Sequence, residues 1–191
     1  MRLFVALDLP DEVRRSLADV IEQLQPKFRA ARWVRPEAMH LTLKFIGHAI
    51  ADADAQKLSD LRTALATVRS DRAVELRYRG IGFFPNSRRP RVIWCGVEAS
   101  ANLAQIAADI ETAIEPLSIP REERTFVPHL TLARIESPKG TEPLVRAAEQ
   151  LQSAEFGSST ETQFYLFESK TKPSGAEYKK IDAFPFAKGS E

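Results

Sequence analysis

The chain is poor in the groups on which disulfide, metal and membrane proteins depend. Its 191 residues hold one cysteine, Cys95, which excludes an intramolecular disulfide framework and any multi-cysteine zinc or iron–sulfur site. Nowhere do apolar residues run to the roughly eighteen that a membrane-spanning helix needs. The N-terminal run Leu3–Leu7 is too short for the core of a secretory signal, and Asp8 and Pro10 break the apolar pattern directly after it. The expected location is therefore the cytoplasm, where a lone thiol stays reduced, with no membrane and no obligate protein partner. Excess charge of one sign is missing too. The 27 Lys+Arg balance 26 Asp+Glu at a net charge of +1, which excludes bulk non-specific coating of nucleic acid. Any nucleic-acid contact must come from a local patch. The three histidines, His40, His48 and His129, lack the i,i+4 spacing of a helical metal motif, so neither a metal nor a cofactor is expected.

What is present is the composition of an ordinary globular protein, 43% hydrophobic and 28% charged, long enough for a sizeable core in one domain spanning 1–191. Arg2–Asp8 reads as a strand. Pro10 then opens a helix, with Asp11 and Glu12 complementing its positive end and Val13, Leu17, Val20, Ile21, Leu24 and Phe28 at helical spacing, until Pro26 ends or kinks it. Met39–Ile46 alternates polar and apolar residues and stops at Gly47, the pattern of a half-buried strand. Leu58, Leu61, Leu65 and Val68 signal a second helix, with Asp52 or Asp54 as its cap. Strands over Val74–Phe84 and Arg91–Val97 come next, separated by Pro85-Asn86-Ser87. Leu103, Ile106, Ile110 and Ile114 mark a third helix that Pro116 ends. A second alternating strand, His129–Ala133, precedes a short helix carrying Leu144, Ala148 and Leu151. Strands at Phe164–Glu168 and Tyr178–Ile181 are joined across Pro173-Ser174-Gly175. Helices interspersed with hairpin-like strand pairs predict an α+β fold with largely antiparallel sheets.

One internal echo organises the chemistry. His40-Leu41-Thr42-Leu43 and His129-Leu130-Thr131-Leu132 are the same tetrapeptide, one in each half of the chain. On a strand, residues two apart share a face, so each copy presents a histidine and a threonine together while its leucines turn inward and fix the register. Histidine titrates near neutrality, so one ring of a converging pair can take a proton from water while the other gives one to a departing alkoxide. In-line displacement at a phosphodiester needs that pairing, and the threonine hydroxyls can donate to the non-bridging oxygens. By parity Lys44 joins the face of His40 and Thr42 and could touch phosphate. Arg77, Arg79, Arg88, Arg89 and Arg91 cluster with Tyr78, Phe83 and Phe84, a composition suited to tracking phosphates and stacking bases, with Arg89 and Arg91 as candidate RNA contacts. His48 sits in a loop as a bystander, and Cys95 belongs to the core rather than to a nucleophilic site.

These residues resemble a known family. The doubled His-x-Thr-x motif, with Arg2-Leu3-Phe4-Val5-Ala6-Leu7, Trp33-Val34-Arg35-Pro36, Phe84-Pro85, Arg89-Pro90-Arg91, Pro128 and Arg134, is similar to the two-histidine phosphoesterases. Within them it resembles the RNA 2′,3′-cyclic phosphodiesterases, also called 2′-5′ RNA ligases or LigT-like proteins. The resemblance covers nearly the whole chain. It implies a bilobal fold with pseudo-twofold symmetry, two largely antiparallel sheets around a central cleft, and helices outside. It also implies metal-independent hydrolysis of a terminal 2′,3′-cyclic phosphate on RNA, or on small cyclic nucleotides, to a 2′-phosphomonoester. By the same resemblance His40 is the proton donor and His129 the acceptor, while Thr42, Thr131 and Arg134 bind phosphate. Strict alternation puts Arg134 on the face opposite His129, so reaching the cleft requires a bulge or the strand end. Two further readings stay open: a reversible 2′-5′ ligase, in which a 5′-hydroxyl replaces water, and a nucleotide- or RNA-binding module without turnover.

Overall fold

The structure, a computed structural model, describes residues 2–51, 54–172 and 175–187. Nine strands and four α-helices are found among them. In chain order they are β1 (Arg2–Leu7), α1 (Asp11–Leu24), β2 (Arg32–Trp33), β3 (Leu41–Gly47), α2 (Ala55–Leu65), β4 (Val74–Phe84), β5 (Val92–Ala99), α3 (Asn102–Ile114), β6 (His129–Arg134), α4 (Glu142–Glu149), β7 (Glu155–Glu161), β8 (Gln163–Lys172) and β9 (Gly175–Pro185). Pro26 sits in a 3-10 turn, Gln25–Lys27, that terminates α1. The Asp54 side chain caps α2 by accepting from the Lys57 backbone N–H at 2.9 Å, while the other cap candidate, Asp52, lies outside the described residues. Pro173 and Ser174, expected in the last turn, also lie outside them.

The strands form two sheets, ordered β3-β1-β8-β9 and β2-β6-β5-β4-β7, in which every pairing is antiparallel. The two lobes are not the two halves of the chain, as the repeated motif suggests. The first sheet takes β1 and β3 from the N-terminal part and β8 and β9 from the C-terminal part, and the second sheet is built from what lies between plus the edge strand β2. Sequence reading missed β2 and β7. The first is only two residues long, and the second, Glu155–Glu161, has Phe156 as its only buried apolar side chain and is an edge strand paired to β4. Helices α1 and α4 pack on β7 and β4, and α3 packs on β3 with α2 against it. One continuous core lies behind both sheets, including Leu41, Leu61, Ile93, Ile110 and Leu130, each 0% exposed.

Both motif strands carry the same irregularity. Against β1, Thr42 faces Ala6 and Lys44 faces Val5, leaving Leu43 extra; against β5, Thr131 faces Trp94 and Ala133 faces Ile93, leaving Leu132 extra. A bulge of one residue reverses the parity of everything beyond it. Lys44 and Ala133 therefore turn into the protein, and Phe45 and Arg134 turn out. Arg134 thus gains the face of His129 by the bulge it requires. Lys44 is corrected: it is 4% exposed, behind the sheet, with Nζ donating to the Glu111 carboxylate at 2.8 Å and to the Pro120 carbonyl at 2.6 Å. It ties β3 to the helix behind it and does not reach the cleft. Removing Glu111 strands a buried ammonium, so Glu111→Ala is expected to cost about 3 kcal/mol in urea denaturation. Lys44→Met combined with Glu111→Leu should recover most of that loss; a loss below about 1 kcal/mol for the single variant would refute the account.

Candidate active site

Each repeated histidine is held the same way. His40 Nδ1 is 2.8 Å from the Ala38 carbonyl and His129 Nδ1 is 2.8 Å from the Val127 carbonyl, in both cases two residues upstream. A carbonyl only accepts, so Nδ1 carries the proton and Nε2 is the ring nitrogen left for chemistry. The rings are also seated on aromatics in a matching way. His40 lies 4.5 Å from Phe4, which stacks on Phe167 at 5.0 Å, and Tyr178 meets His40 edge-on at 5.0 Å. His129 meets Phe84 edge-on at 5.0 Å, and Phe84 packs on Trp94 at 5.1 Å. Trp94 in turn needs the bare backbone of Gly82: three atoms of its indole lie within 2.7 Å of where a Cβ there would sit. Phe4, Ala6, Thr42 and Phe45 share the open face of the first sheet, and Trp94, Thr131 and Arg134 that of the second, by register across β1–β3 and β5–β6.

The two motif strands, β3 and β6, lie against each other where the sheets meet. Burial is the largest influence on His40 and pushes its pKa down to about 4, against smaller upward pulls from the Ala38 carbonyl and the Asp8 carboxylate and alongside downward pushes from Arg14 and Arg134. In the resting site His40 is neutral at neutral pH. For Asp8, burial works upward, but hydrogen bonds from Lys180 and the Leu9 backbone and the charges of Lys180 and Arg14 hold its carboxyl below the usual range.

Sequence reasoning missed Arg14. From α1 its Nη1 donates to the Pro36 and Met39 carbonyls at 2.7 and 3.2 Å, and its Nη2 donates to Asp8 and to the Leu9 carbonyl at 2.8 and 3.1 Å. Those partners end β1 and form the turn that delivers His40. No motif announces this, because an arginine on a helix reads as solvent-facing until the turn is seen to fold onto it. The arginine–aromatic cluster disperses. Tyr78 is fully buried and Phe83 packs on the core side, while Arg79 pairs with Glu98 at 3.2 Å. Arg89 sits in a turn where its N–H and that of Arg88 donate to the Asn86 side chain, and Arg91 donates to the carbonyl of Glu136, two residues past the end of β6. Cys95 is buried in the core, and burial pushes its thiol up to about 12. Among the described residues no group of three His, Cys, Asp or Glu side chains could hold a metal ion, and no helix is long and apolar enough to cross a membrane.

Two imidazoles with matched free nitrogens, carried with their threonines on adjoining strands, are the arrangement expected of a two-histidine phosphoesterase. The chain belongs to the LigT-like phosphoesterase family, whose model matches residues 7–94 and 96–178; it is an enzyme of the hydrolase class. It is 31% identical over 185 residues to an RNA 2′,3′-cyclic phosphodiesterase of Methanothermobacter thermautotrophicus, covering 96% of this chain and 98% of that one. It is 33% identical to the protein of that name from Thermus thermophilus, covering 96% and 89%. Its fold matches a crystal structure of a Thermus thermophilus protein with a TM-score of 0.78 at 31% identity, over 97% of this chain and 98% of that one. It matches Escherichia coli LigT complexed with 3′-AMP with a TM-score of 0.77 at 26% identity, over 98% of each.

The geometry makes two outcomes testable. Folded His40 refuses a proton that the unfolded chain accepts at about 6.5, so its contribution to stability is full above that pH and is lost as pH falls toward about 4. His40→Gln should flatten that part of the stability–pH curve in urea titrations; an unchanged slope would contradict the assignment. Arg14→Ala is expected to lower kcat by on the order of 10²-fold through misplacement of His40. It should also move the His40 imidazole NMR resonances while the fold persists by circular dichroism, and resonances that stay put would remove Arg14 from the positioning of that ring.

Proposed function

We propose that this protein hydrolyses the 2′,3′-cyclic phosphate at RNA ends, or on small cyclic nucleotides, to a 2′-phosphomonoester without a metal ion. The observation that carries the reading is the matched pair of imidazoles, each fixed through Nδ1 by a backbone carbonyl with Nε2 left for proton transfer. The names of the relatives and the nucleotide bound to Escherichia coli LigT support it. In this reading water attacks phosphorus as His129 Nε2 takes its proton. The bond from phosphorus to the 3′ oxygen breaks, and His40 Nε2–H protonates that oxygen. Thr42, Thr131 and Arg134 donate to the non-bridging oxygens, where charge gathers in the transition state. Because His40 is neutral in the resting site, its proton arrives with the anionic substrate, whose charge offsets the burial that keeps the ring uncharged. That same resting neutrality favours a second reading in which the two histidines exchange roles.

An oligoribonucleotide ending in a 2′,3′-cyclic phosphate, incubated with the protein in excess chelator, should yield the 2′-phosphate. No turnover, or turnover only with added metal, would overturn the proposal. His40→Ala and His129→Ala should each cost at least about 10²-fold. A substrate with sulfur in place of the leaving 3′ oxygen needs no proton donor, so it should restore turnover to His40→Ala and not to His129→Ala. The reverse pattern would establish the exchanged roles.

A further inference from the structure

Edge strand β2 is two residues long, and its pairing sets Arg32 directly opposite Arg134 and Trp33 opposite Ala133. Cross-strand partners share a face, so the two arginines stand side by side on the open face of the second sheet, their Cα atoms about 5 Å apart. Like charges in that position repel, so one of the two pairings that define β2 works against it. Among the described residues Arg134 has no ion pair and no side-chain hydrogen bond. Arg32 is paired with Glu136, but both side chains are largely exposed, at 75% and 69%, and a salt bridge in that setting holds weakly. Arg91 joins them from the β5 side, its guanidinium donating to the Glu136 backbone carbonyl. Three guanidinium groups thus gather at the end of β6 around one carboxylate, in a chain with a net charge of only +1.

We infer that Arg32 binds the phosphate joining the terminal nucleotide to the rest of the RNA strand. The inference rests on the function proposed above and selects RNA ends over small cyclic nucleotides as the substrate. A guanidinium fork grips two phosphate oxygens at once, and an anion set between Arg32 and Arg134 relieves their mutual repulsion. The spacing suits such a substrate. Thr131 and Arg134 face Trp94 and Val92, two residues apart on β5 and hence about 7 Å along the strand, and Arg32 lies one strand further out. Successive phosphates of an RNA strand are separated by one ribose. A cyclic phosphate at Thr131 and Arg134 therefore leaves its predecessor within the sweep of the long Arg32 side chain. The direction fits as well. Val34 donates to the Leu132 carbonyl at 2.8 Å, and the chain then turns through Pro36–Ala38 into His40. Arg32 thus lies on the side of the histidine that, in the proposed reaction, protonates the 3′ oxygen, and the strand continues from that same ribose. Phosphate charge is common to all sequences, so the contact lengthens the recognised substrate without reading its bases.

The test compares a dinucleotide ending in a 2′,3′-cyclic phosphate with the corresponding nucleoside 2′,3′-cyclic phosphate, by the ratio of their kcat/KM values. Arg32→Gln should lower that ratio about tenfold, the scale of one charge-assisted contact, and Arg32→Lys should restore part of it. A dinucleotide with an uncharged methylphosphonate linkage should lose the same advantage in the parent protein and lose nothing further in Arg32→Gln. Glu136→Gln breaks the salt bridge and keeps the guanidinium, so it should hold or raise the ratio. An unchanged ratio in Arg32→Gln would overturn the inference, and so would an equal fall in Glu136→Gln, which would make the β2–β6 salt bridge the cause. Fluorescence anisotropy supplies a readout that needs no turnover. A labelled oligoribonucleotide ending in a 2′-monophosphate should bind Arg32→Gln about tenfold more weakly than the parent, with a shallower dependence on salt. Equal affinity and slope count against the contact. If the parent protein turns over neither substrate, the proposed function fails by itself and this titration alone decides the contact.

Discussion

The site depends on one extra residue in each motif strand. A strand that alternates regularly cannot place a histidine, a threonine and a residue five positions beyond the histidine on one face, because five is odd. Leu43 and Leu132 resolve this. Each interrupts its ladder, and each is buried, at 6% and 0% exposure, so its transfer from water, about 1.5–3 kcal/mol for a side chain of this size, holds the irregularity in place. The same device sends Lys44 into the protein and Arg134 out of it. Without its bulge β6 would carry Arg134 on the face opposite His129.

Around this shared frame the two histidines are treated differently. Both donate Nδ1–H to a carbonyl two residues back, which fixes ring orientation and tautomer. Only His40 is pressed between Phe4 and Tyr178, with Asp8, Arg14 and Lys180 close behind. An apolar seat holds a ring rigidly and at the same time resists its charging. In the proposed reaction the charge of the substrate reverses that resistance, coupling the binding of an anion to the uptake of a proton. The pseudo-symmetric lobes are thus chemically unequal before any ligand arrives.

Topology makes the site a property of the whole chain. The first sheet joins β1 and β3 to β8 and β9, strands more than a hundred residues apart in sequence, with Phe4 paired to Phe45 on one side and to Phe167 on the other. The aromatic seat of His40 is therefore completed only when the C-terminal hairpin docks. Long-range pairing of this kind closes large loops before it is rewarded, so the lobes are expected to form cooperatively rather than one after the other.

The repeated His-Leu-Thr-Leu strings, the strands that carry them and the helices with clear apolar spacing were all legible in the sequence, because periodicity and identity are local properties. So was the need of Arg134 for a bulge. The place of Lys44 was not, since parity counted from His40 fails at an irregularity that only pairing with β1 creates. Nor was the clamp by Arg14, whose partners are backbone carbonyls that exist as a cluster only after the turn before His40 folds onto α1. Edge strand β7 stayed hidden because it buries little and is defined by its neighbour. The amino-acid order by itself determined which groups are available for proton transfer and phosphate contact. Tertiary structure alone decided which of them face one another, because register and bulges are set by contacts between segments distant in the chain.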